Sequence, residues 1–439
     1  MSRPSVLLIA EAANPDWVSV PLIGWSFAAA LREVADVHLV TQVRNRTAIA
    51  AQGWEEGQDF TAIDTEAVTK PIWRAGQMLR MGTGRGWTLN TAINSLVYPY
   101  FERQVWHQFG SDIKAGRFDL VHRVTPLTPT AVSPISKWCT GVGVPFVLGP
   151  LNGGVPWPTG FDAERRRERE WLSYVRGLYK LKPGRGAMFR NTSAILAGSH
   201  HTASEIPSQY RGKVLWLPEN AIDPKRFNQR SVQDISGPLR GCFIGRMVPY
   251  KGPDILLEAA APHLAAGRLV LDMVGDGPML SSLQAQARDL GVSEAVTFHG
   301  QVPHDAVQDI ATRANLLTFP SIREFGGGVV LEAMALGVVP LIVDYAGPSE
   351  LVTPDTGLTV PIGPRAQIIV SLGATLDRII ADPSTLPVMA DRAYTRAQTL
   401  FTWPAKAQQI LRLYDWVLHP DGSPPDLLSG PEGLVCTQA

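Results

Sequence analysis

Short apolar runs alternate along the chain with longer stretches in which apolar residues recur every three or four positions. This is the pattern of buried parallel strands joined by amphipathic helices. In the first half, Val6–Ala10 predicts a strand, Trp25–Val34 a helix and Val37–Thr41 a second strand, which together make a β-α-β unit. Leu120–Arg123, Pro145–Gly149 and Ala194–Ala197 predict further strands. A second series starts with a strand at Gly241–Gly245, a helix at Pro253–Ala261 and strands at Arg268–Val274 and Ala295–Phe298, with a helix near Met279–Leu290 between them. It goes on through a helix at Asp305–Arg313, a strand at Leu316–Phe319, a helix at Val329–Leu336 and a strand at Val339–Val343. Pro218, Pro224, Gly237 and Pro238 break the pattern between the two series. The predicted fold class is therefore α/β, with two Rossmann-like parallel-sheet domains at 1–217 and 218–403, and the central cleft they face is the default ligand site. Pro404–Leu418 has helical spacing and is expected to pack back on the first domain, and the Pro/Gly-rich residues 419–439 predict a flexible tail.

A length of 439 residues suits two or three domains with buried cores. The formal charge of zero hides a division: residues 1–217 hold 24 basic and 17 acidic side chains, and 218–439 hold 16 and 23. Cys139, Cys242 and Cys436 lie far apart with no Cys-x-x-Cys spacing, which argues against a disulfide framework or a zinc knuckle and fits a reducing cytosol. Five consecutive apolar residues before Glu11 are too few for a secretory signal, and no run approaches the ~20 residues of a spanning helix. A cytoplasmic protein is expected.

The most informative stretch runs from Arg323 to Leu341. Gly326, Gly327 and Gly328 stand between a predicted strand and a predicted helix, where backbone amides, with Phe325 and Val329 beside them, can point at an anion. A tight strand-to-helix turn would use the same glycines. Glu324 and Glu332 are eight residues apart, or ~12 Å along a helix, too far for the ~5–9.5 Å of a glycosidase carboxylate pair. They suit hydrogen bonds to different hydroxyl-bearing parts of one ligand, as an acidic side chain holds ribose at nucleotide sites. Gly245, Arg246 and Lys251 follow the first strand of the second series, at the end where α/β sheets bind ligands, and a guanidinium beside an ammonium suits a diphosphate. No P-loop, Gly-x-Gly-x-x-Gly or His-Glu-x-x-His is present.

These two segments together resemble the nucleotide-sugar half of the retaining glycosyltransferase family four, which has the GT-B fold. Glu324, Glu332, Ala333, Ala335 and Gly337 are in register with that family's Glu-x₇-Glu and Ala-x-Ala-x-Gly-x-Pro pattern; Val339 holds the proline position and Pro340 comes one residue later. Supporting matches are Val274–Pro278, Phe298–Gly300, Phe319–Ser321, Gly347–Val352, the segment Leu217–Asp223, and Trp403 and Tyr414 at the expected crossover helix. The resemblance implies transfer of a sugar, with retention of configuration, from a UDP- or GDP-sugar to a glycan, lipid-linked or small-molecule acceptor, with no cofactor and no essential metal. It implies that Arg246, Lys251 and the Gly326–Gly328 amides hold the diphosphate, that Glu332 holds the ribose and that Glu324 holds the donor sugar. Two readings of other classes stay open: a non-catalytic nucleotide-sugar-binding protein, and a nucleotide-sugar epimerase of similar architecture.

The first half matches less closely. His122 falls where the family has the first of two histidines, and Val124 stands at the second; His122 is expected either at the site or as a buried packing histidine. Gly149–Gly154 resembles a loop aimed at the cleft and reads equally as a turn. Lys70, Arg74, Arg80 and Arg85 occur among Trp73, Met78, Met81 and Trp87. A second basic run from Arg165 to Arg190 is interleaved with Trp171, Tyr174, Tyr179 and Phe189. Basic residues among aromatics suit peripheral contact with an anionic membrane, or equally a solvated face; with no RNA-binding motif beside them, nucleic acid is not expected as a partner.

Overall fold

The computed structural model describes residues 3–68, 86–158, 160–162, 182–420 and 422–428; for residues 86–96 and 304–305 the backbone alone is described. Most of both basic runs, Lys70–Arg85 and Arg165–Lys180, lies outside the described residues.

Among the described residues, thirteen strands form two sheets in which every pairing is parallel. The first holds β1 (Ser5–Ala10), β2 (Asp36–Gln42), β3 (Phe60–Ile63), β4 (Leu120–Thr125), β5 (Phe146–Leu151), β6 (Ala194–Ala197) and β7 (Val214–Trp216) in the order β3-β2-β1-β4-β5-β6-β7. The second holds β8 (Leu239–Ile244), β9 (Leu269–Val274), β10 (Val296–Gly300), β11 (Leu316–Phe319), β12 (Val339–Asp344) and β13 (Leu358–Pro361) in the order β10-β9-β8-β11-β12-β13. β4 and β5 are buried along their whole length; β5 is an uninterrupted apolar run, whereas β4 also buries His122, Arg123 and Thr125. In each sheet the direction of winding reverses beside the first strand, at β1/β4 and at β8/β11. The carboxyl ends there are the positions where open α/β sheets hold ligands.

The chain divides into two compact units: Met1–Gly154, Glu168–Glu219 and Trp403–Ala439 in one, Val155–Arg167 and Asn220–Thr402 in the other. The sequence-based boundaries near 217 and 403 differ from this division in one segment, Val155–Arg167, which belongs to the second unit although it follows β5. The helix Trp403–Leu418 returns to the first unit, where Ile410, Leu413 and Tyr414 enter a core with Phe27, Leu31 and Leu120. Its buried Lys406 donates to the Pro218 carbonyl, and burial lowers the amine to about 7. The tail expected to be flexible is packed at Leu427, which is buried in the same core and accepts from Arg412 Nη2 at 2.7 Å. An apolar side chain that reaches a core groove outweighs the Pro/Gly composition around it. No helix among the described residues is long and apolar enough to cross a membrane.

Candidate functional site

In the second unit the loops leaving β8 and β11, neighbours in the sheet, carry the expected donor residues. After β8, Gly245 N donates to Val274 O at 3.0 Å, and a Cβ at Gly275 would collide with the Gly245 carbonyl. Arg246 is exposed and pairs with no described residue. A short turn at Pro249–Lys251 ends at Gly252, whose φ of 69° starts the helix Pro253–Ala265; a Cβ there would come within 2.5 Å of Pro320 O. Positive φ and a backbone contact both exclude a side chain at Gly252.

After β11, the loop Pro320–Gly327 leads to the helix Gly328–Ala335, capped by Gly327 at φ 57°. The amides of Gly326, Gly327, Gly328 and Val329 donate to no acceptor among the described residues. Four free N–H groups at a helix start, beginning around the left-handed Gly327, are an arrangement that can receive an anion at the positive end of the helix dipole, an amide nest in that sense. A Cβ at Gly327 would lie 2.8 Å from Leu351 Cδ1, and one at Gly347 would collide with the Phe325 carbonyl, so two glycines let the loop close.

The structure brings Lys251 and Glu324 together: Nζ forms an ion pair with Oε2, with each side chain less than a fifth exposed. The Lys251 ammonium also lies 4.9 Å from the centroid of Phe319. Glu332, one turn into the helix, is raised to about 7 by burial, with Arg226 acting in the opposite sense. Asn220 Nδ2 lies beside the start of this helix, facing Gly328, a neighbour absent from the sequence-based set. No group of three or more His, Cys, Asp or Glu that could hold a metal occurs among the described residues.

His122 requires a correction. It is completely buried, Nε2 donates to Gly149 O at 2.7 Å, and Nδ1 accepts from Tyr414 Oη at 2.7 Å. A carbonyl only accepts, which fixes this tautomer. Burial lowers the imidazole to about 4, and with both nitrogens engaged it has no atom left for a substrate. Its role is to tie β4 to β5 and to the returning helix. The Gly149–Gly154 loop is likewise stitched within the first unit, by Asn152 N to Leu127 O at 2.7 Å and Asn152 Nδ2 to Glu219 Oε1 at 2.7 Å.

Like Asn220, Trp157, Arg323 and Tyr345 are absent from the sequence-based set: Arg323 donates to Val155 O at 3.2 Å and stacks on Trp157, and Tyr345 Oη donates to Pro156 O at 3.0 Å. The Pro-Trp-Pro at 156–158 was the available signal, a rigid turn presenting one indole.

The family model for glycosyl transferases group 1 matches residues 225–396. The chain carries a group 1 glycosyltransferase domain. The D-inositol 3-phosphate glycosyltransferase of Nocardia farcinica is 34% identical over 189 residues, covering 40% of this chain and 41% of that protein. The chain thus matches less than half the length of this curated relative. Among solved structures, the Anabaena HepE protein in complex with UDP is 17% identical at a TM-score of 0.57, covering 92% of this chain and 98% of that one. A glycosyltransferase from Rickettsia africae is 14% identical at a TM-score of 0.58, covering 95% and 99%. These likenesses, with the two parallel sheets, give the fold as GT-B. The group 1 domain coincides with the unit that holds the amide nest and the Lys251–Glu324 pair.

Proposed function

We propose that this chain is a retaining glycosyltransferase that takes a sugar from a UDP- or GDP-sugar to a glycan, lipid-linked or small-molecule acceptor. The observation that carries this reading is the row of four free amides at Gly326–Val329, next to the Lys251–Glu324 pair and one strand from the exposed Arg246. Likeness in fold to the Anabaena HepE protein, whose solved structure is a complex with UDP, supports the donor class.

In the proposed reaction, the diphosphate of the donor settles on the nest and on Arg246 and draws Lys251 away from Glu324, which turns to the sugar hydroxyls. Glu332 accepts from the ribose. The bond between the anomeric carbon and the β-phosphate oxygen breaks while the acceptor oxygen attacks from the same face, and the acceptor proton passes to the departing phosphate. Arg246, Lys251 and the amides neutralise the charge that develops on that leaving group, and such preorganised donors are typically the largest contribution to catalysis. The first unit would hold the acceptor. Its basic runs would place the protein on anionic membrane surfaces, in which case the full chain sediments with phosphatidylserine vesicles at low salt and is released at high salt.

A thermal-shift screen of UDP-, GDP- and ADP-sugars tests the donor class, because a ligand that binds only the folded state raises stability. One of these donors should raise the melting temperature. Arg246→Ala and Glu324→Ala should each lower turnover by about 10²-fold or more. Turnover of either variant at the wild-type rate would refute the assignment. NMR analysis separates transfer, which releases nucleoside diphosphate, from epimerisation, which keeps the donor intact as its isomer.

A further inference from the structure

The chain leaving β5 reaches the donor loops. Val155–Arg167 belongs to the second unit, and its first residues lie against the loop that carries Glu324. Arg323 Nε donates to Val155 O at 3.2 Å across 168 positions of sequence, and Tyr345 Oη donates to Pro156 O at 3.0 Å. The Trp157 ring centroid lies 5.0 Å from the Arg323 guanidinium carbon, and the indole meets Tyr250 edge-on at 6.2 Å and 90°. Tyr250 in turn accepts through its carbonyl from Ile322 N at 2.9 Å and Ser321 Oγ at 3.2 Å.

One indole therefore touches the residue before Lys251 and the residue before Glu324. Arg323 is only 8% exposed, and its guanidinium carbon also lies 5.5 Å from the Phe325 ring centroid. A desolvated guanidinium needs partners, and a cation–π contact is strongest where water is excluded. The loops after β8 and β11 supply only part of that environment. The rest comes from Val155–Trp157.

We infer that Val155–Trp157 is a clamp across the two donor loops, with Trp157 and Arg323 as positioning residues that hold the Lys251–Glu324 pair in register for sugar transfer. This rests on the glycosyltransferase reading. Of the groups proposed to hold the nucleotide, the amide nest, Arg246 and Glu332 lie outside the clamp, and Lys251 alone is positioned by it. Loosening the clamp therefore lowers turnover far more than nucleotide affinity.

The test uses the full chain with UDP-, GDP- and ADP-glucose and water as the acceptor, followed by release of nucleoside diphosphate, together with calorimetric titration of the corresponding free diphosphates. Trp157→Ala should lower kcat by about 10- to 100-fold, the cost of misplacing a catalytic group by an ångström or less. Its diphosphate Kd should rise by no more than a few-fold, well short of the loss in kcat, and its melting temperature should stay at the wild-type value. Trp157→Phe, which keeps an aromatic face, should retain most of the rate. Arg323→Lys keeps the charge, loses the planar fork and should behave like Trp157→Ala. Wild-type turnover in Trp157→Ala, or a loss of diphosphate affinity and thermal stability in step with turnover, would overturn the clamp alone. Absence of both binding and turnover in the wild-type chain would overturn the glycosyltransferase reading and the clamp with it.

Discussion

Burial acts on His122 and Glu332 in the same direction, toward the neutral form, with different consequences. His122 is held neutral with both nitrogens bonded, so replacing its partner leaves a buried acceptor unpaired. Tyr414→Phe should cost roughly 1–3 kcal/mol in denaturant unfolding, with no change in nucleotide affinity. Glu332 faces the proposed ribose position with its folded-state value raised from 4.5 to about 7. Between those two values the folded state binds the extra proton, so this group's contribution is full below the lower value and is lost as pH rises through about 7. Glu332→Gln should flatten that decline in melting temperature. A hydroxyl donated to the carboxylate favours the charged form, so nucleoside affinity should rise from about pH 6 to pH 8 in the wild type and stay level in Glu332→Gln. Among single residues, Glu324, Glu332, Arg246 and Lys251 could be named from the sequence because each falls within a short motif, and the structure pairs Lys251 with Glu324. Arg323 and Trp157 were not, because their partners are supplied by distant chain.

At the level of elements, the glycines divide into those that shape the donor loop and those that only end a helix. Gly347 admits no side chain because of the Phe325 carbonyl, whereas Gly337, at φ 71°, has its nearest neighbour at 3.6 Å. Both changes to alanine should be measured by unfolding and by diphosphate titration. Gly337→Ala should cost about 1–2 kcal/mol of stability, the usual penalty of a left-handed alanine, and leave binding unchanged. Gly347→Ala should displace the loop and weaken diphosphate binding beyond any stability loss. The central strands were legible because burial on both faces makes them mostly apolar, although β4 carries His122 and Arg123, β8 Arg240 and β9 Asp272. The edge strands β3, β7 and β13, of three or four residues each, are not among the predicted strands, although β6 and β11 are as short and are, so length alone does not hide a strand. The helix Leu386–Leu400 was hidden because its buried stripe is Leu386, Ala390, Ala393 and Ala397, with little apolar contrast. The helix Arg365–Ala381 carries a clear period at Ile368, Leu372, Leu376 and Ile379, a signal that was present and went unread.

For the whole molecule, a formal charge of zero conceals a basic first half and an acidic second half. The acidic half nevertheless holds the proposed polyanion site, because four amides, Arg246 and Lys251 act at short range while the remaining charge is screened within ~8–10 Å. Domain order and the returning helix were readable from two β/α series and an isolated amphipathic segment. The assignment of Val155–Arg167 to the second unit was not, because chain continuity placed it with β5. The central claim is that this local cluster binds the diphosphate of a nucleotide sugar. Calorimetric titration of the full chain with UDP, GDP and their parent nucleosides tests it most directly. One diphosphate should bind about 10- to 100-fold more tightly than its nucleoside, as charge-assisted hydrogen bonds of ~1.5–3 kcal/mol require. Equal affinity for nucleoside and diphosphate, or binding of neither, would contradict it.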